Sequence, residues 1–311
     1  MFKPGEMIAT RSAYGKKLAE MGEENERIVV LDADLSCSTK TCLFAKKFPE
    51  RFFNAGIAEA NMMGMAAGLA LSGKIAFAST FAVFATGRAF DQIRISLAYS
   101  NSNVKVCASH SGITVGPDGA SHHALEDISL MRALPNMRVV VPADANETCI
   151  ILEKVVDTQG PFYVRLTRPK VPVLEDHDFS FGKASLMREG NDLTIIATGL
   201  MVDKALKAAG VLSKEGVSAR VLNIHSIKPL DEKAIVKAAK DTGHIVTAED
   251  HSVIGGLGAA VSEVLGENYP TPIARVGSRD LFGVSGEPDE LLEAYGMGVS
   301  HIVESAKKVK K

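Results

Sequence analysis

The chain has 311 residues, of which 46% are hydrophobic and 23% charged, with 35 Lys+Arg against 37 Asp+Glu. That composition is ordinary for a globular protein in water, and the length suits two domains with sizeable cores. A net charge of −2, with 19 basic against 17 acidic residues up to position 170 and 16 against 20 beyond it, provides no basic module and argues against nucleic acid as a partner.

Apolar runs and helical patterns alternate from end to end. Ile28–Leu31, Ile75–Ala78, Val104–Cys107, Arg138–Val141 and Phe162–Arg165 read as short buried strands. Tyr14–Met21, Met62–Leu71, Phe90–Tyr99 and Ile150–Val156 place apolar residues three and four apart, as helices do. Near-continuously apolar strands separated by helices predict a mostly parallel sheet covered on both faces. The rhythm breaks between Pro169 and Asp192, a stretch with prolines, charges, Gly182 and Gly190 that reads as a linker. It then resumes. Leu193–Ala197, Ala219–Ile224, Ile245–Glu249 and Ile273–Val276 read as strands, and Val202–Lys214, Glu232–Lys240 and Gly256–Leu265 as helices. The tail from Val299 to Lys311 is amphipathic and ends in a lysine cluster. The expected organisation is a first α/β domain over 1–172, a linker over 173–192 and a second α/β domain over 193–311, each a mostly parallel sheet flanked by helices.

Met62–Leu71 is the longest strongly apolar stretch; interrupted by Gly64 and Gly68, it is too short to span a bilayer. The first residues, Met1-Phe2-Lys3-Pro4-Gly5, hold no apolar signal core, so a cytoplasmic protein with no membrane partner is expected. Cys37, Cys42, Cys107 and Cys149 form no CxxC pair and are too few for a disulfide framework; Cys107 reads as core.

Three stretches invite chemistry. In Phe53-Asn54-Ala55-Gly56-Ile57-Ala58-Glu59, a strand ends at a glycine and Glu59 opens a Gly/Ala-rich helix. A carboxylate there suits the helix dipole without further function. However, Met62, Met63, Met65 and Leu69 predict a helix buried on most sides, and a buried acid needs a partner or keeps its proton. Such an acid suits a nitrogen heterocycle. In Ser79-Thr80-Phe81-Ala82-Val83-Phe84, two phenylalanines three apart would share a face at a helix start, as core or as a platform for a planar ring. The run His110-Ser-Gly-Ile-Thr-Val-Gly-Pro-Asp118-Gly-Ala-Ser-His122-His123 packs three glycines, a proline, an acid and three histidines into fourteen residues. It follows a strand, at the edge of an open sheet where ligands bind, although a turn-rich loop with solvated histidines has the same composition. Its histidine spacing matches no zinc pattern. Gly255-Gly256-Leu257-Gly258 opens a helix after a strand; a tight turn explains it as well as a dinucleotide does.

In this order, Gly56-Ile57-Ala58-Glu59-Ala60-Asn61-Met62, Ser79-Thr80-Phe81 and His110…Asp118-Gly119…His122 resemble transketolase, specifically the C-terminal half of a full-length enzyme, with its pyrimidine-binding and C-terminal domains. The resemblance implies a two-carbon ketol transfer between a ketose phosphate and an aldose phosphate through thiamine diphosphate. It implies that Glu59 bonds the aminopyrimidine N1′, that Phe81 and Phe84 form the ring platform, and that Asp34 is an acid near cofactor and donor. It further implies that Asp118 and His122 contact the donor, with His122 among the catalytic groups, and that Arg11, Ser38, His110 and Arg168 hold the sugar phosphate. The Gly-Asp-Gly and downstream Asn with which such enzymes grip the diphosphate through Mg2+ or Ca2+ are absent; the nearest string is Pro117-Asp118-Gly119. The resemblance therefore implies a split enzyme, in which an N-terminal partner subunit supplies the metal and diphosphate ligands and two copies of each chain assemble. Gly87 departs from the family's tyrosine, and Ala85–Gln92 is closer to deoxyxylulose-phosphate synthases and 2-oxo acid dehydrogenase β subunits. A pyruvate-using relative and a non-catalytic oligomer-completing subunit are thus the alternatives. Glu249, His251 and Gly255–Gly258 fit either a subunit interface or ordinary loops.

Overall fold

The computed structural model describes residues 1–310, so Lys311 at the end of the tail lies outside the described residues. In the first half, β1 (Met7–Ile8) precedes β2 (Ile28–Asp32), β3 (Phe52–Asn54), β4 (Ile75–Phe81), β5 (Val104–Ser109), β6 (Arg138–Val140) and β7 (Phe162–Arg165). The chain continues through β8 (Val171–Pro172), β9 (Ser185–Arg188), β10 (Leu193–Ala197), β11 (Ala219–Asn223), β12 (Ser226–Lys228), β13 (Ile245–Ser252) and β14 (Ile273–Ser278). One sheet has the order β12-β6-β7-β5-β4-β2-β3, parallel except for β12. The other has the order β14-β13-β10-β11-β9, parallel except for β9. β1 and β8 form a separate antiparallel ribbon.

The two-domain α/β reading and nearly every expected strand are present. Val29, Leu31, Ala76, Ala78, Val104 and Val106 bury one face of the first sheet, against the helices Glu59–Leu71 and Asp127–Arg132. The alternate residues Val30, Phe77, Cys107, Phe162 and Val164 bury the other, with Tyr14, Leu18 and Ile151 from the helices Thr10–Glu24 and Ala145–Asp157. Lys105, in the middle of this sheet, passes its stem through the core and donates from Nζ to the carbonyls of Thr158 and Gly160 at 2.7 and 2.8 Å.

Several elements differ from expectation. β4 runs on through Phe81 instead of ending at Ala78, so Phe81 leaves a strand end. Phe90–Tyr99 is only briefly α-helical; Phe84–Arg88 and Ile93–Tyr99 are π-helical, a wider coil that leaves the apolar spacing nearly unchanged. Within the segment read as linker, Ser185–Arg188 is the antiparallel edge strand β9 of the second sheet. Four residues of mixed polarity carry no alternation from which to read it. β12 also crosses over to pair with β6 of the first sheet. The domains share one apolar cluster, in which Met137 and Val139 of the first join Ile196, Ile224 and Leu257 of the second.

Candidate active site at the carboxyl edge of the first sheet

Parallel strands deliver their following loops to a common edge. Every sequence-derived site residue except Arg11 sits at that edge, at the end of a strand or in the segment that follows one. Asp34 and Ser38 follow β2, Glu59 follows β3, Phe84 follows β4 with Phe81 as its last residue, His110, Asp118 and His122 follow β5, and Arg168 follows β7. Arg11 joins them from the first turn of the helix Thr10–Glu24.

The contacts form a continuous chain. Phe81 and Phe84 stack with centroids 5.8 Å apart and planes 13° from parallel. The His110 ring stacks on Phe81 at 3.7 Å, and the His122 ring meets Phe84 edge-on at 5.3 Å. Arg11 Nη1 donates to His110 Nε2 at 3.1 Å and to the Ser38 carbonyl at 2.9 Å. Arg168 Nη1 donates to the Val115 carbonyl at 2.7 Å, on the His110–His122 loop. Asp118 is exposed, and its charge acts on the Arg11 guanidinium. Asp34 stands apart from this chain of contacts. Asn54 Nδ2 donates to its carboxylate at 3.0 Å, and its own amide donates to Asn54 Oδ1. Both Asp34 and His110 have positive φ, 64° and 57°. Two non-glycine residues held there at one sheet edge mark a backbone constrained by its surroundings.

Glu59 is the first residue of the helix Glu59–Leu71 and only 4% exposed. Its partner is Arg88, whose Nη1 donates to Oε1 at 3.1 Å while the guanidinium carbon lies 4.2 Å from the Phe84 centroid. Arg88 escaped the sequence reading. The usable signal was its position four residues after Phe84, which stacks a cation over a ring on a helical path. The helix is less buried than expected. Met62, Met63, Ala66 and Ala67 pack inward, but Asn61, Gly64 and Gly68 are exposed, and a Cβ at either glycine would meet nothing within 4 Å. Helical geometry turns one face of even a nearly all-apolar helix away from the sheet, so Glu59 is buried by its position at the helix start and by its neighbours.

His110 is neutral. Burial first, then the charges of Arg11 and Arg168, push its imidazole down to about 3. Because guanidinium can only donate, Nε2 accepts from Arg11 and the proton is assigned to Nδ1, which donates to Ser109 Oγ at 2.8 Å. A base lowered in the folded state makes the unfolded chain the better proton acceptor below its ordinary value of 6.5. The stability contribution of His110 is therefore complete above that pH and declines as pH falls from 6.5 towards 3. His110 ring resonances should hold constant between pH 8 and pH 5 in an NMR titration; a midpoint above 5 would refute this assignment.

Between the domains lies a second polar cluster, and it includes Glu249 and His251, which the sequence leaves open to reading as interface or as ordinary loop residues. Glu249 and His251 are fully buried within this one chain. Glu249 accepts from the Leu257 and Gly258 amides at 2.6 and 2.8 Å, so the glycine-rich helix start receives a carboxylate of its own chain. Arg165 and Asp127 form a buried forked pair, Nε to Oδ2 at 2.7 Å and Nη2 to Oδ1 at 3.1 Å. Among the described residues no helix is long and apolar enough to cross a membrane, and no group of three His, Cys, Asp or Glu is arranged to hold a metal ion.

Residues 6–173 match the family model described as transketolase, pyrimidine binding domain, and residues 182–302 match that of the transketolase C-terminal domain. The chain belongs to the transketolase family. It is 50% identical over 307 residues to a putative transketolase C-terminal section of Methanocaldococcus jannaschii, with 96% of each chain covered. A 6-deoxy-6-sulfo-D-fructose transketolase subunit of a Clostridium species is 46% identical, over 96% of this chain and 94% of its own length. A subunit of the apulose-4-phosphate transketolase of Phocaeicola vulgatus is 42% identical, over 96% and 97%. Among solved structures, a chain described as a split gene transketolase in an inactive beta4 tetramer superposes with TM-score 0.91 at 55% identity, covering 97% of this chain and 98% of its own. Transketolase from Campylobacter jejuni superposes with TM-score 0.84 at 26% identity, but only 47% of that chain is covered. This transketolase-family chain thus corresponds to the C-terminal section of the enzyme.

Proposed function

We propose that the chain is the C-terminal subunit of a split transketolase, moving a two-carbon ketol unit from a ketose phosphate to an aldose phosphate when a companion chain completes the thiamine diphosphate site. The observation that carries this is Arg88: a planar group with N–H donors bridges the Glu59 carboxylate and the Phe84 ring. An aminopyrimidine needs those same two contacts, a carboxyl for a ring nitrogen and an aromatic face for its π surface. The residues present therefore fit the cofactor's pyrimidine half, and Arg88 must yield at least one of its two contacts to admit it. When bound, thiamine diphosphate supplies a thiazolium carbon that attacks the ketose carbonyl and an electron sink for the carbon–carbon cleavage.

On this reading Glu59 holds a proton at the pyrimidine N1′, from a buried position that keeps water off the carboxyl. Phe81 and Phe84 fix the ring plane, with Phe81 itself braced by His110. Asp34, fixed by Asn54, is the acid near the cofactor and donor. His122, partly exposed, offers Nε2 to a donor hydroxyl, since Nδ1 is engaged with Ser121 Oγ at 2.9 Å. Asp118 accepts from a second hydroxyl. Arg11 and Arg168 present permanent cations to the terminal anion of the sugar, with neutral His110 and Ser38 as hydrogen-bonding neighbours. The names of the Clostridium and Phocaeicola relatives cover a sulfonated and a phosphorylated sugar. Both end in a tetrahedral anion, which the same pair of arginines can bind.

The companion chain would carry the diphosphate and the Mg2+ or Ca2+ ligands, in an assembly of two copies of each, located in the cytoplasm. The solved split-gene relative, described as an inactive tetramer of one kind of chain, supports the need for a companion. The test combines this chain with a split-family companion bearing Gly-Asp-Gly, thiamine diphosphate and Mg2+. Transfer from xylulose 5-phosphate to ribose 5-phosphate is expected, with neither chain active by itself. Turnover by this chain alone would overturn the proposal; transfer only from a sulfonated ketose would reassign the sugar, and transfer only from pyruvate would move the chain to the pyruvate-using relatives.

A further inference from the structure

The His110–His122 loop does not hold its shape by itself. Its stem closes where the Gly112 amide donates to the Ala124 carbonyl at 3.0 Å, and its first part is a single 3-10 turn, Ile113–Val115. That turn is fastened from the second domain. Asp250, in β13, accepts from the Ile113 amide at 2.9 Å through Oδ1 and from the Thr114 hydroxyl at 2.7 Å through Oδ2. The approach is close enough to demand glycine at 112, where φ is +74° and a Cβ would lie 2.0 Å from Asp250 Oδ2. β13 also grips the loop's exit, with the Ser252 amide donating to the Leu125 carbonyl at 2.8 Å. Arg165 ties both sides together, donating from Nη2 to the carbonyls of Asp250 at 2.9 Å and of Ala124 at 3.4 Å. At the far end of the same turn, the Val115 carbonyl receives Arg168.

We infer that Asp250 of the second domain is a positioning residue for substrate: through the turn Ile113–Val115 it sets where the Arg168 guanidinium stands, and thereby the preference for a phosphorylated ketose. The geometry is a relay of three rigid links. A buried carboxylate with no freedom to turn fixes two consecutive residues, these fix the next carbonyl, and that carbonyl fixes a guanidinium that would otherwise sweep a wide arc. Two hydrogen bonds to one buried side chain are enough to order a short turn. The second domain therefore contributes more than assembly, since it supplies the anchor for a loop that the first domain carries. Asp250 itself touches no reacting atom, which separates it from Glu59 and His122.

This inference rests on the proposed role of Arg168 in its consequence for substrate, but not in its consequence for the loop, so two readouts are needed. The first is hydrogen exchange of the peptide spanning 112–124 in the assembled enzyme. The second is the ratio of kcat/KM for xylulose 5-phosphate to that for xylulose, which isolates the phosphate contact from contacts common to both sugars. Asp250→Ala should speed exchange across the turn and lower the ratio about tenfold, the loss of the anchor's hydrogen bonds. Thr114→Val, which removes a single bond and leaves the carboxylate in place, should move both in the same direction by a smaller factor. Asp250→Asn keeps an acceptor for the Ile113 amide and a donor for the Thr114 hydroxyl, and should restore both to within about twofold. Unchanged exchange in Asp250→Ala and Thr114→Val would overturn the inference, as would faster exchange with an unchanged sugar ratio. If the unmodified assembly used neither sugar, the functional proposal would fail instead. The exchange measurement, with the position of Arg168 in a crystal structure of Asp250→Ala, would then decide the relay.

Discussion

Glu59→Gln in the reconstituted assembly should lower two-carbon transfer by about 10²–10⁴-fold, the range for loss of a positioned proton-transfer group. Glutamine has nearly the same shape and can still meet Arg88 through its amide oxygen, so the site should keep its geometry. What it cannot do is share a proton with a ring nitrogen. Cofactor affinity, measured by calorimetry, should therefore fall by no more than about tenfold, the worth of one hydrogen bond. The chain has no tryptophan, so calorimetry serves better here than intrinsic fluorescence. Exchange of the thiazolium C2 proton with deuterium, followed by NMR, should slow in parallel with turnover. Activity within twofold of the unmodified enzyme would remove Glu59 from the chemistry altogether.

Asp127→Ala should have the largest effect on stability. Arg165 and Asp127 are 4% and 0% exposed, and Tyr163 donates its hydroxyl to Asp127 Oδ2 at 2.7 Å. Burial by itself would raise the Asp127 carboxyl, but the Arg165 charge and hydrogen bonds outweigh it and hold the group below its ordinary value. Removing Asp127 strands a buried cation, at a cost of about 3–5 kcal/mol. In a chain of this size that corresponds to a loss of the order of 10 °C in melting temperature. Exchanging both members for apolar residues, Asp127→Leu with Arg165→Met, should cost less than the single change, because no charge is left unpaired. Calorimetric melting of the single and double variants measures the difference; a double variant less stable than Asp127→Ala would mean that the Arg165 bonds to the Ala124 and Asp250 carbonyls outweigh the charge. A carboxyl lowered in the folded state contributes fully above its unfolded value, and the contribution fades as pH falls below it. The melting difference between Asp127→Ala and the unmodified chain should accordingly narrow in acid.

The alternation of apolar runs and helical spacings was enough to read two parallel α/β domains, because strands covered on both faces must be apolar throughout and helices packed on a sheet must repeat every three to four residues. It was also enough to bring the His110–His122 run to a sheet edge, since a loop that follows a parallel strand has nowhere else to go; that Glu59, Phe81 and Phe84 belong beside it came from the family likeness. Elements whose pairing depends on a distant partner were not legible in the same way. β9 and β12 have four and three residues, too few to show a period, and each exists because an edge of an already formed sheet was available to it.

The sequence by itself determined the class of fold, the family likeness and the chemical character of the site edge, because these depend on residue type and local spacing. Only the tertiary structure decided which groups meet: Arg88 on Glu59, Arg11 on His110, and above all Asp250 on a loop 137 residues earlier in the chain. Those contacts are set by how two sheets pack against a shared core. A carboxylate on a strand of one domain carries no local mark to say that a turn in the other domain will close upon it.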